Sequence, residues 1–214
     1  MNVEGGVRPC ACQRERRILE ELPSRFHQAR LVDFPPTVVQ QVTGWLESPG
    51  DGLLITGPAG TGKTHLAAAI LRWRVEHGKW ATFRRLAEFY QALRETYHLN
   101  TSEADVLRPY IEGKFVVLDD LGSGALSDFE RRAVLEVLDR RLNQRKPTVV
   151  TTNWSLAEIA EWVDDRVASR LASFACIELA GLDHRLTLGR VDEVCVPLDF
   201  SKSVKKELET VAVP

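Results

Sequence analysis

Residues 53–67 read "LLITGPAGTGKTHLA", an apolar run that breaks into three glycines and a proline before a lysine. Leu53 to Thr56 has the character of a buried strand and a helix opens at Lys63, so the glycine-rich piece joins the end of a strand to the start of a helix. Gly57, Gly60 and Gly62 reach backbone angles closed to other residues. Successive N–H groups can then curl around one point, where the helix terminus also concentrates partial positive charge. A polyphosphate fits that point. Gly57, Gly62, Lys63 and Thr64 complete the spacing G-x-x-x-x-G-K-[ST], in which the lysine reaches the outer phosphates of ATP and the hydroxyl holds Mg2+. Pro58, Ala59, Gly60 and Thr61 inside the loop, and His65 after it, join the same nucleotide-binding set. A glycine turn with a solvated lysine is the competing reading, and the strand before and helix after the loop argue against it.

Outward from this loop, strand-like runs at 80–84, 115–119 and 148–152 alternate with helical patterns at 63–77, 86–97, 103–112 and 127–145. Such alternation predicts an α/β fold, a parallel sheet with helices on both faces. A helix over "PPTVVQQVTGWLES" precedes the first strand; a short helix 155–162, another around "DDRVASRLA" and a strand "ACIELAG" follow the fourth. Ser127 and Glu130 stand in capping-box spacing ahead of the apolar stripe Val134, Leu138 and Leu142.

The chain of 214 residues, 44% hydrophobic, can bury one main core. Its formal charge of -2 gives no ground for indiscriminate binding to nucleic acid. No apolar run approaches membrane-spanning length and "MNVEGGVRPCACQRERR" lacks the apolar segment of a secretory signal, so a cytoplasmic protein without membrane contact is expected. Cys10, Cys12, Cys176 and Cys195 are too scattered for a disulfide framework, and the last two sit in apolar, core-like stretches. Cys10 and Cys12 make half of a zinc site with only His27 nearby to help. No second pair follows, so zinc is not expected.

"KFVVLDDLG" supplies the second half of a phosphate site. An apolar strand ends in Asp119 and Asp120 at the carboxyl edge of a parallel sheet, where ligands of such folds bind. A charged pair directly after a fully apolar strand is costly unless paired or bound to metal. Asp119 is the expected partner of Thr64 in holding Mg2+, and Asp120 the group that polarises the attacking water. A pair of acidic loop residues capping a helix is the plainer alternative. "VVTTNW" repeats the design and ends in Asn153, able to reach the outer phosphate or the water, although a lone Asn after a strand is usually a turn residue.

"GPAGTGKTHLA", "FVVLDDLG", "TVVTTN" and "DDRVASRL", in this order and spacing, resemble the AAA+ ATPases of the DnaC/IstB group, which are replicative helicase loaders and transposition helper ATPases. The resemblance covers about residues 22–187 and implies a P-loop fold of the ASCE/AAA+ type. Its sheet would have five parallel strands in the order 5-1-4-3-2, with Asn153 as sensor 1 on the fourth. Too few residues follow Asn153 for a separate helical lid. Where AAA+ proteins usually carry Asp-Glu, this chain has Asp119-Asp120, which implies slow turnover. The resemblance further implies Arg170 as a finger acting on a neighbouring subunit, with Arg166 as second candidate and Arg185 as a sensor of the chain's own nucleotide. A salt bridge from Arg166 to Asp164, Asp165 or Glu161 is the competing reading for that residue.

Three segments follow. Residues 1–34 form an N-terminal extension, with a charged helix at 13–21 and then an extended arm packed on a neighbour; 35–199 form the ATPase domain; 200–214 form a charged tail. The function implied is an ATPase that loads a hexameric, DnaB-like replicative DNA helicase onto single-stranded DNA. Arg84, Arg85, Arg140, Arg141, Arg145 and Lys146 are the expected phosphate contacts. An IstB-like transposition helper, a P-loop small-molecule kinase and a nucleotide-binding adaptor without turnover are the alternatives, and the Asp-Asp pair with Asn153 favours water over a small-molecule acceptor.

Overall fold

Uninterrupted aliphatic runs become the inner strands of a parallel sheet, as burial on both faces requires. The structure, a computed structural model, describes residues 9–97, 102–122 and 124–181. Strands β1 Gly52–Thr56, β2 Thr82–Arg85, β3 Val116–Leu121, β4 Thr148–Thr152 and β5 Ala175–Glu178 form one sheet in the order β2-β3-β4-β1-β5. Every neighbouring pair is parallel. Read from its other edge, this is the order expected from the resemblance.

Side chains alternate between the two faces of each strand. Leu53, Ile55, Val117 and Val149 share an apolar cluster with α1 Ala11–Glu21, α2 Pro36–Glu47 and α3 Lys63–Glu76. Leu54, Val116, Leu118 and Val150 share the opposite cluster with five helices: α4 Leu86–Glu95, α5 Glu103–Glu112, α6 Asp128–Asn143, α7 Leu156–Trp162 and α8 Asp165–Leu171. Ser127 caps α6 through the capping box read from the sequence. Among the described residues no helix is long and apolar enough to cross a membrane.

The segment before α2 corrects the expectation of an arm laid on a neighbour. Ile18, Leu22, Ala29 and Leu31 are buried in the same cluster as Ala67, Ala68 and Ala69 of α3, so these residues cover the chain's own body. Polar groups lock the contact. Buried Arg72 of α3 pairs with Glu15 and Glu76 at 3.2 Å each and donates to the His27 carbonyl, while Arg14 donates to the Glu76 carbonyl. Two single 3-10 turns, Ser24–Phe26 and Leu31–Asp33, carry the chain across.

Cys10 serves as the N-cap of α1: its Sγ accepts from the Gln13 N–H at 3.3 Å. Cys12 is exposed beside it, and the His27 ring bonds instead to the Leu22 carbonyl at 2.9 Å. Cys176 is half-buried on β5, and burial pushes its thiol pKa up. Cys195, Arg185 and the segment 200–214 lie outside the described residues.

Candidate nucleotide site

The loop from Gly57 to Gly62 takes the form its glycines permit. Gly57, Gly60 and Gly62 have φ of 137°, 82° and 94°, and a Cβ on Gly57 would stand 2.1 Å from the Leu179 carbonyl oxygen. Any larger residue at position 57 would displace the strand exit. Gly62 is the N-cap of α3, so the first N–H groups of that helix face the loop without helical acceptors. Lys63 is buried and bends back over the loop, donating to the carbonyls of Gly57 at 2.8 Å and Pro58 at 2.5 Å. Thr61 closes the turn from inside, its hydroxyl donating to the Pro58 carbonyl at 2.9 Å.

The acidic pair sits two strands away at the same sheet edge. Asp119 is 3% exposed and accepts from the hydroxyl of Thr151 on β4 at 2.7 Å. Burial pushes its carboxyl pKa up, opposed by hydrogen bonds from Thr151 and from Thr64, the residue after the loop lysine. Thr64, 55 positions earlier in the chain, thus acts on the same carboxyl as Thr151. A buried carboxylate ringed by hydroxyls, beside a nest of N–H groups and a lysine, suits Mg2+ and a polyphosphate. Asp120 is partly exposed, with φ 68° at a register break between Leu118 and Leu121. Its N–H donates to Thr151 Oγ1 at 2.8 Å. Thr151 therefore holds both acids at once, a role its place inside an apolar strand did not announce.

The sequence profile described as IstB-like ATP binding protein matches residues 13–173. The chain belongs to that family. It is an AAA+ protein of DnaC/IstB type, as the resemblance implied. The replicative helicase loader DnaC of Escherichia coli K12 is 30% identical over 119 residues, 55% of this chain and 49% of that protein. DnaC of Buchnera aphidicola from Acyrthosiphon pisum is 25% identical over 120 residues. The chain spans about half the length of these curated relatives, 49% in both cases. Among solved structures, the DnaC helicase loader superposes with a TM-score of 0.64 at 24% identity, covering 74% of this chain and 100% of that one. Domain III of the Thermotoga maritima replication initiation protein DnaA gives 0.65 at 17% identity, covering 90% and 78%. Both show the shared fold.

Other predicted site residues of this AAA+ chain fall differently. Asn153 is exposed directly after β4. The following Trp154 lies against Gly122, where an added Cβ would come within 2.5 Å of its ring, tying the exits of β3 and β4 together. The His65 side chain turns to the segment before α2, bonding Asp33 Oδ2 at 2.7 Å between the rings of Phe26 and Phe34. Only its backbone N–H, in the first turn of α3, is placed for a phosphate. Arg166 bonds Asp164 through Nε and Nη2, both at 3.2 Å, the salt bridge weighed as its alternative. Arg170 reaches from α8 to α6 and bonds Asp139 at 2.6 Å.

Of the expected DNA-phosphate contacts, Arg141 is overturned: it is 1% exposed and wholly engaged inside the fold. Lys146 donates to the carbonyls of Ile111 and Glu112, and Arg84, Arg85 and Arg140 pair with Glu21, Glu88 and Glu136. Their partners are carboxylates and carbonyls from adjoining turns and elements, which compete with any phosphate.

Proposed function

We propose that this chain is an ATP-hydrolysing switch that loads a hexameric replicative DNA helicase onto single-stranded DNA. The observation that carries the reading is the buried Asp119 carboxylate, held by Thr151 at the sheet edge that also presents the loop and Lys63. Asp119 and Thr64 would hold Mg2+, and Lys63 and the loop N–H groups the phosphates. The bound metal would supply charge neutralisation to the transferring phosphoryl group. In this reading Asp120 orients the attacking water, Asn153 contacts the outer phosphate or that water, and Arg170 serves the site of a second copy. Similarity to DnaC, a replicative helicase loader, supports the helicase as partner. The family description supports a second reading, a transposition helper with the same chemistry.

A pull-down from the native host separates the two, with wild type in ATP, wild type in ADP and Lys63→Ala in ATP. A hexameric helicase retained only by wild type in ATP is the expected result. Retention of a transposase in its place would overturn the loader reading, and equal retention in all three arms would overturn the ATP switch.

A further inference from the structure

Tyr90 lies on α4, which follows β2 directly and packs against β3. It belongs to the same apolar cluster as Leu118 and Leu121, and its ring meets Phe89. Its hydroxyl is buried and has no hydrogen-bond partner among the described residues. A buried O–H without an acceptor is costly, and phenylalanine would serve the packing without that cost.

Burial keeps this hydroxyl protonated, and the negative charges of Glu130 and Asp120 act in the same direction. Glu130 is already committed. Its Oε1 accepts from Arg94 at 2.5 Å, and its Oε2 accepts the N–H and hydroxyl of Ser127, both at 2.8 Å. The Asp120 carboxylate has no hydrogen bond or ion pair among the described residues, while its backbone is pinned to Thr151. The unspent donor and the unspent acceptor therefore lie on neighbouring elements, and the acceptor is the acid assigned to the attacking water.

We propose that Tyr90 is a positioning residue for Asp120: its hydroxyl donates to one carboxylate oxygen during turnover and leaves the other to orient water. No proton changes owner in this contact. The inference rests on the role given to Asp120 under the proposed function. It places the control of hydrolysis partly on α4, the helix that extends from the edge strand β2.

The test is Tyr90→Phe in the full chain, with single-turnover hydrolysis of radiolabelled ATP and calorimetric ATP affinity as readouts. The turnover constant is expected to fall about tenfold, the usual weight of a hydrogen bond to a charged group. ATP affinity should be unchanged, and the urea midpoint unchanged or raised. The same substitution in an Asp120→Ala background should change hydrolysis no further, whereas with Glu130→Gln its effect should multiply. Wild-type turnover in Tyr90→Phe, beside a slow Asp120→Ala, would overturn this inference alone. A tenfold loss that persists in Asp120→Ala would also overturn it, by showing that Tyr90 acts elsewhere. Wild-type turnover in Asp120→Ala would instead remove the role of Asp120, and the inference with it.

Discussion

At the amino ends of β3 and β4, Arg141 spends all three guanidinium nitrogens on Thr148 Oγ1 and the carbonyls of Tyr110, Ile111, Gly113 and Pro147, at 2.7 to 3.2 Å. Every acceptor is neutral, and burial holds its pKa down at about 10. At the carboxyl ends of the same strands, Asp119 is equally hidden but has only hydroxyls for donors, and the carboxylate beside it has no partner among the described residues. Both ends bury a charged group. The saturated one ties α5, α6 and β4 together, and the other retains capacity for a cation and a water. Counting donors against acceptors separates a structural charge from a functional one where residue type does not.

Arg170 tests that distinction most severely, because it falls between the two cases: one bond to Asp139, with 37% of its side chain exposed. Used as a finger on a neighbouring copy, it must leave Asp139. Arg170→Ala should then keep ATP binding while hydrolysis falls roughly a thousandfold, the scale of arginine fingers in related chemistry. Mixing Arg170→Ala with Lys63→Ala should restore part of the activity that neither has alone. An inactive mixture, under conditions where wild type assembles and hydrolyses, would return Arg170 to the structural class.

For Arg141 the expected loss is in stability. Arg141→Met removes the donor shared by Thr148 and four carbonyls, of which Ile111 and Pro147 keep bonds from Lys146 and the Val116 N–H, and should cost roughly 3 kcal/mol, read as a lower urea midpoint at constant slope. Little change in the midpoint would break the contrast between the two sheet ends.

The smallest effect belongs to the His65–Asp33 contact. Burial acts to raise the Asp33 carboxyl, but the His65 ring and the Arg30 N–H outweigh it and hold the pKa below 3.8. A carboxyl lowered in the folded state stabilises above its unfolded pKa, and that contribution is lost as pH falls through the folded value. Asp33→Asn should thus cost about 0.5 kcal/mol or less near neutral pH, for a group this exposed, and the gap to wild type should close as pH falls from about 5 toward about 3. His65→Ala should leave ATP affinity within about twofold, since its ring faces the segment before α2; a larger drop would put the imidazole back in the nucleotide set.

The phosphate loop, the acidic pair and the alternating elements were legible because each depends on neighbours within a few positions. Three glycines before Lys63 set backbone angles locally, and the aliphatic runs before Asp119 and Asn153 marked strands that must end at one edge. Thr151 was not legible, since a threonine in an apolar strand looks like any β-branched residue until β3 lies beside it. Trp154 against Gly122 was hidden for the same reason.

The arginines drew the line most clearly. By itself the sequence determined that "DRRLN" and "DDRVASRL" are helical and carry arginines, because helix periodicity and capping are read over single turns, while the helix expected to run to 145 ends at Asn143. Only the tertiary structure decided that Arg141 is consumed by carbonyls 28 to 31 positions earlier in the chain, and that Arg170 is held by Asp139, 31 positions earlier. A guanidinium takes its role from the acceptors within about 3 Å of it, and those acceptors reach it only when distant segments pack.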